Sequence, residues 1–316
     1  MDQNAIDREL MVVRVAELYY EENKTQDEIG ALLGLSRFKV GRLLAKARAD
    51  GIVRIEVVHP RARKLGVERE LCERFGLEGA IVVPSSSDAD EELQRVAQAA
   101  ADLLMRLRPV PRTIAVSWGR TLTAVGSFLP DGWARGVNIV QMNGGVSVNK
   151  RRGGAASFAM NMARRAGGHA TLLPSPAILD RIETKRAIVA DRTVAGVLEA
   201  AANANAYLFT AGVCDAHSAH VENGYLTVDD IDQLARRGAV GDVLGRYIDA
   251  DGNVVDPELD SRTVGLDLQA LRAATTTIYV TAGPAKHDVA RAVVNSELCT
   301  TIVTDEHTAR SLLEDA

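Results

Sequence analysis

Hydrophobic positions along the chain follow two rhythms. Over residues 1–50 they recur at helical spacing. Met11, Val12, Val15, Ala16 and Tyr19, with Leu18 beside them, stand at i, i+1, i+4, i+5 and i+8, which predicts an amphipathic helix with those side chains turned inward. The pattern breaks at Glu22-Asn23-Lys24. Thr25-Gln26-Asp27-Glu28 then reads as a capping box, with a carboxylate three residues after a hydroxyl. The short helix it starts is expected to carry Ile29, Leu32 and Leu33 inward and to end at Gly34, since a tight turn favours a residue that tolerates positive φ. Ser36 caps a third helix whose inward stripe is Val40, Leu43, Leu44 and Ala47. Two short helices joined by a glycine turn, the second capped by serine, predict a helix-turn-helix. Asp50-Gly51 leads into an alternating stretch, 52–60, expected to be a short strand and a candidate wing.

From residue 80 onward the rhythm changes. Short continuous apolar runs, AIVVP, TIAVS, VNIVQM, HATLLP, AYLFT, RTVGL, TIYVT and TIVT, alternate with helical stretches such as 90–107, 155–166 and 185–200, after a first helix over 64–75. Strands that are apolar on both faces and separated by helices predict a mostly parallel sheet covered on both sides. The expected organisation is a helix-turn-helix domain over 1–58, a basic linker over 59–64 (PRARK at its centre), and a large Rossmann-like α/β domain over 65–316.

The third helix carries the first candidate chemistry. Residues 36–48 hold five basic side chains, Arg37, Lys39, Arg42, Lys46 and Arg48, and no acidic one. At roughly 100° per residue, Phe38 and Arg42 fall opposite the inward stripe and Lys39 on its flank. Arg42 suits a guanine edge, Phe38 a thymine methyl, and Lys46 and Arg48 phosphates. Ser36, Arg37, Phe38, Lys39, Arg42 and Lys46 are therefore the candidate DNA-contacting residues.

In parallel α/β sheets ligands bind beyond the carboxyl ends of the strands. Those ends here read Ser117-Trp118-Gly119-Arg120-Thr121, Asn143-Gly144-Gly145 followed by the basic stretch NKRRGG, Ala211-Gly212, Ala282-Gly283-Pro284-Ala285-Lys286 and Asp305-Glu306-His307. Glycines let a ligand approach the backbone, free N–H groups at the next helix start donate to anions, and Arg120 and Lys286 add full charges. The chain contains neither G-x-x-x-x-G-K-[ST] nor G-x-G-x-x-G, so a nucleoside triphosphate or dinucleotide is not indicated. The phosphate of a small metabolite fits better.

Composition narrows the picture further. The hydrophobic share of 47% allows a sizeable core, aromatics are 4%, and a formal charge of −5 excludes a chain that is basic throughout. Cys72, Cys214 and Cys299 lie far apart without CxxC spacing, which argues for a reducing compartment and against a disulfide framework or zinc module. Cys214-Asp215-x-His217-x-x-His220 lacks standard zinc spacing and reads as polar loop residues. The charged start MDQNAIDREL predicts no secretory signal, and no apolar run approaches the roughly 20 residues of a membrane span. The expectation is a cytoplasmic protein with no metal, no cofactor and no membrane partner.

Taken in order, DEIGALLGLSRFKVGRLLAKARADGIVRI, VSWGRTL, VQMNGG, LLPSPA, GDVLGRYIDADG and TDEHTARSLL resemble the SorC/DeoR-type sugar-binding transcriptional regulators over nearly the whole chain. The resemblance implies an effector domain similar to sugar-phosphate isomerases and deaminases, a phosphorylated sugar or related metabolite as effector, and operator binding as a homodimer or homotetramer. It marks Ser117, Gly119, Arg120 and Thr121 as a phosphate loop, Asn143, Gly144 and Gly145 as a second ligand-facing turn, and Asp242 as the acidic residue that meets sugar hydroxyls. Gly283 and Lys286 resemble the family's Gly-Gly-x-x-Lys turn, with Pro284 in place of the second glycine. Proline removes a backbone N–H, which leaves Lys286 as that turn's contact and keeps an unphosphorylated sugar or polyol open as effector. A fold shared with isomerases makes an enzyme the rival. The fused DNA-binding module favours a sensor, because turnover would destroy the signal.

Overall fold

The computed structural model describes residues 3–53, 63–145 and 155–314. The chain divides into two compact units, Met1–Val58 and His59–Ala316. The first holds three helices, α1 (Gln3–Tyr20), α2 (Gln26–Leu33) and α3 (Arg37–Ala49). Their starts and stops follow local chemistry. Thr25 N–H donates to the Glu28 carboxylate (2.7 Å) while Glu28 N–H donates to the Thr25 hydroxyl (3.3 Å). Gly34 takes φ +65°, and Ser36 caps α3 by accepting from Lys39 N–H. Gly30 is required for a different reason: a Cβ there would lie 2.6 Å from the Leu35 carbonyl oxygen, so only glycine lets the turn close onto α2.

Val15, Leu18, Ile29, Val40 and Leu44 form the centre of this unit, with Val12, Ala16 and Ala47 beside them. Two residues expected inward are not. Met11 is 36% exposed because Val12, Val15 and Ala16 already fill the face of α1 turned to α3, and Leu32 is 61% exposed because Ile29 and Leu33, one turn apart, cover α3 from the short α2. Ile52 and Val53, the first two residues of the strand expected over 52–60, form a bend, and the rest of that stretch, most of the linker over 59–64 and the basic stretch 149–154 lie outside the described residues.

The second unit is built on seven parallel strands: β1 (Gly79–Val83), β2 (Thr113–Val116), β3 (Asn138–Gln141), β4 (Ala170–Thr171), β5 (Ala206–Phe209) and, after the small strands described below, β9 (Thr277–Val280) and β10 (Thr301–Asp305). Their order across the sheet is β1-β10-β9-β5-β2-β3-β4. Alternate residues feed two cores. Ala115, Val140, Tyr207 and Tyr279 pack with helix residues such as Leu71, Val197 and Val293 on one face. Ile114, Val116, Leu208 and Ile278 pack with Val96, Leu122 and Met162 on the other. The covering helices include α4 (Leu65–Phe75), α5 (Ala89–Arg106), α6 (Arg120–Phe128) and α7 (Ala155–Arg165).

Three departures from expectation share a cause, the short range of sequence signals. The stretch 185–200 is two helices, α8 (Ile182–Ala190) and α9 (Arg192–Ala202), because Asp191 between them caps the second by accepting from Thr193 N–H (2.8 Å). RTVGL is no strand and makes only isolated bridges, at Thr263 and Gly265. Ala211-Gly212, expected as a ligand-facing loop, is the start of β6 (Ala211–Val213), which pairs antiparallel with β7 (Gly241–Val243), itself paired with β8 (Arg246–Ile248).

Candidate functional site

From β2 the chain runs outward through β3 to β4. It then returns to β5, beside β2, and continues the other way through β9 to β10. The switch point of the sheet is therefore the crevice between the carboxyl ends of β2 and β5, the place where open α/β sheets bind ligands. Ser117 follows β2 and Thr210 follows β5, and they are bonded across the crevice, Thr210 N–H donating to the Ser117 hydroxyl (3.3 Å).

The loop 117–121 turns directly into α6. Gly119 stands at φ +146°, and a Cβ there would meet the Thr210 methyl at 3.0 Å. It caps α6 without any side-chain hydrogen bond, so the N–H groups of the first turn keep their donors free for an anion. Thr121 is buried, and Arg120 is exposed without an ion-pair partner among the described residues.

Lys286 reaches the same crevice from beyond β9. Its ammonium lies 3.4 Å from the Thr121 hydroxyl and 3.3 Å from the Thr210 hydroxyl. Burial and then the neighbouring Arg120 guanidinium push its pKa down to about 8, against the pull of Asp242. The turn that carries it is fixed from below. Gly283 N–H donates to the fully buried Asp305 (3.0 Å), whose carboxylate also accepts from the Thr308 hydroxyl (2.6 Å) and N–H (2.8 Å). With Gly283 N–H occupied and Pro284 lacking one, that turn offers an anion the lysine and little backbone.

Asn143, Gly144 and Gly145 follow β3 as an extended, buried segment whose backbone is already used. Gly144 N–H donates to Val264 and its carbonyl accepts from the Trp118 indole (2.8 Å); the Gly145 carbonyl accepts from the Tyr225 hydroxyl (3.0 Å). A Cβ at Gly144 would stand 2.2 Å from the Pro176 oxygen. The two glycines shape a wall, and of the three residues it is Asn143 that brings an idle side-chain acceptor, its buried Oδ1, which has no partner among the described residues.

Asp242 sits on β7 opposite Gly212 of β6, and its Oδ1 occupies the place where a Gly212 Cβ would be. Its Oδ2 accepts from Gly245 N–H (2.9 Å). His220 stands beside it, Nδ1 3.9 Å from Asp242 Oδ1 and 3.1 Å from the Tyr247 hydroxyl. The sequence pattern reads His220 as a polar loop residue, but it is buried at 1% exposure in the one-turn helix Ala219–Glu222. His217 is exposed, and Cys214 is half-buried with its thiol pushed up to about 11 by burial and Asp242. Thr210 is a further site residue absent from the sequence reading, although it follows β5 as Ser117 follows β2. The arrangement thus joins Ser117, Gly119, Arg120, Thr121, Thr210 and Lys286 at a cationic, hydroxyl-bearing end of the crevice, with the Asp242 carboxylate and the His220 imidazole beside it.

In the first unit, Phe38 on α3 is 85% exposed and Lys39 and Arg42 are exposed. Arg37 pairs loosely with Asp27 (3.6 Å) and Lys46 closely with Asp50 (2.6 Å).

Residues 59–314 match the family model described as "Putative sugar-binding domain". The chain is 28% identical to the deoxyribonucleoside regulator of Bacillus subtilis, covering 98% of this chain and 99% of that protein. It is 30% identical to the transcriptional regulator LsrR of Klebsiella pneumoniae, covering 98% and 94%. The full-length sorbitol operon regulator SorC of Klebsiella pneumoniae superposes with a TM-score of 0.74 at 27% identity, over 99% of this chain and all of that one. These relatives are transcriptional regulators along their whole length. The chain belongs to the SorC/DeoR family of sugar-binding transcriptional regulators.

Proposed function

We propose that this regulator binds operator DNA through α3 and a phosphorylated sugar or related metabolite in the crevice between β2 and β5, and that it acts in the cytoplasm as a homodimer or homotetramer that releases DNA when the metabolite binds. The observation that carries the effector half is the placing of the Lys286 ammonium on the Thr121 and Thr210 hydroxyls at the sheet's switch point, beside an Arg120 without an ion-pair partner among the described residues. Two cations beside free helix-start donors are a site for a dianion. The DNA half rests on the exposed Phe38, Lys39 and Arg42, an apolar ring beside two cations on one face of the capped second helix of a helix-turn-helix, the groups that suit base edges and phosphates. In the proposed division, 1–58 reads DNA, 59–64 links, and 65–316 binds effector and assembles. Metabolite binding changes DNA affinity only as far as it prefers one arrangement of the paired DNA-binding units.

A thermal-shift series with pentose and hexose phosphates, free sugars and polyols tests this on the native chain and on Arg120→Ala. A ligand at about 100 times its Kd adds about 2.7 kcal/mol to the native state. The reading expects a phosphate ester to stabilise the native chain and not the variant. Stabilisation by free polyols alone would favour the second reading, an unphosphorylated effector, which the occupied Gly283 N–H and Pro284 support.

A further inference from the structure

The acceptors at the Asp242 end of the crevice are not all used. His220 is buried, with Nδ1 between the Tyr247 hydroxyl and the Asp242 carboxylate, and the Tyr247 hydroxyl also meets that of Ser218. With the imidazole proton assigned to Nδ1, the nitrogen that faces the Tyr247 hydroxyl and the Asp242 carboxylate, Nε2 presents a lone pair. Nε2 is buried and has no hydrogen-bond partner among the described residues. Beside it stands Gly245, at φ +84°, where a Cβ would come to 3.5 Å from Nε2, so the chain sets no side chain of that residue against the nitrogen. Trp118, of the same loop as Arg120 and Thr121, lies edge-on to the imidazole at 5.8 Å. One loop therefore touches both the anion-holding groups and this histidine.

We infer that His220 is a specificity-determining residue of the effector site, its Nε2 accepting a hydrogen bond from an effector hydroxyl beside Asp242. The inference rests on the proposed reading that this crevice holds the effector. Nε2 and the carboxylate both accept and neither donates, so this end selects a ligand rich in O–H groups, an alditol or a sugar with its hydroxyls intact. A deoxygenated carbon in that place leaves a buried acceptor without a partner, which is the strongest form of rejection a polar site has.

Calorimetric titration of the full chain with inorganic phosphate, sorbitol 6-phosphate, ribose 5-phosphate and free sorbitol tests it. His220→Leu is expected to weaken both esters about 10- to 100-fold while leaving inorganic phosphate unchanged. His220→Gln, which returns an amide near the Nε2 position, should recover most of the loss. If the leucine variant fails to fold, Tyr247→Phe, which frees the imidazole from its orienting partner, is read instead and should weaken the esters several-fold. Ester affinities indifferent to these variants but abolished in Arg120→Ala overturn the inference and leave the effector reading standing. Esters that bind the native chain no tighter than inorganic phosphate also overturn it. Binding lost in His220→Leu but kept in Arg120→Ala supports it and overturns the phosphate reading. Failure of every probe to bind overturns both.

Discussion

The chain holds two candidate anion sites built on opposite principles. On α3 the cations stand in water: Lys39 and Arg42 are exposed, and Lys46 shares its charge with Asp50 at the surface. Between β2 and β5 the charge is partly withdrawn from water, and Lys286 carries a lowered pKa as the result. Exposed charges in number suit a long polyanion whose counterions are released on binding, and their affinity falls steeply with salt. Two charges in a shaped crevice suit one small dianion, and salt screens them less. On the proposed reading, the same ionic chemistry gives breadth in one unit and selectivity in the other.

The largest test of that contrast is Lys286→Met, expected to weaken a phosphate-ester effector roughly 100-fold, about 3 kcal/mol for a charge-assisted contact. Operator affinity in a mobility-shift assay without effector should not change. Arg42→Ala should do the reverse, costing about 1–3 kcal/mol of operator affinity and relaxing base preference while effector titrations stay as in the parent. Loss of both activities in both folded variants would end the division of labour.

The pH response sharpens the contrast. The anion needs the protonated amine, so ester affinity should hold up to about pH 8 and then fall by as much as about tenfold per pH unit, a fall that Lys286→Met abolishes. Folding runs the other way. The unfolded lysine stays protonated to its ordinary value near 10.5, so between about 8 and that value the unfolded state holds more protons and stability rises with pH. Below about 8 the penalty for the buried charge is present in full. Lys286→Met should accordingly melt higher than the parent at pH 7 without effector, each kcal/mol being worth roughly 2–4 °C. The smallest effect is Thr25→Ala, about 1 kcal/mol confined to the first unit and seen as faster amide exchange in α2.

What is legible in the sequence follows the range of the interactions. Thr25, Glu28, Gly34 and Ser36 act within four residues, so local chemistry alone bounds the helices of the first unit. The strands that end at Ser117 and at the turn of Lys286 are readable because buried parallel strands are continuous apolar runs. Leu32 and Met11 fall on the wrong side because spacing gives a face and not its width. The β6–β8 sheet escapes because its strands have three residues each and gain their identity from pairing with one another. With that sheet goes His220, whose partners Asp242 and Tyr247 lie more than twenty residues away, and whose neighbours in sequence look like a solvated loop. Thr210 has a visible signal, a hydroxyl closing an apolar run, and only the strand order makes it face Ser117.

Trp118 has an optical consequence. The chain carries two tryptophans. Trp133 is buried with its indole N–H on the Met162 carbonyl (3.0 Å), a setting that no ligand at the crevice alters directly. Trp118 has its indole N–H on the Gly144 carbonyl and an imidazole at its edge, so its emission depends on the polarity and hydrogen bonding of the crevice. A molecule that settles against His220, as proposed above, would change those surroundings and shift the Trp118 emission, with Trp133 as the steady background.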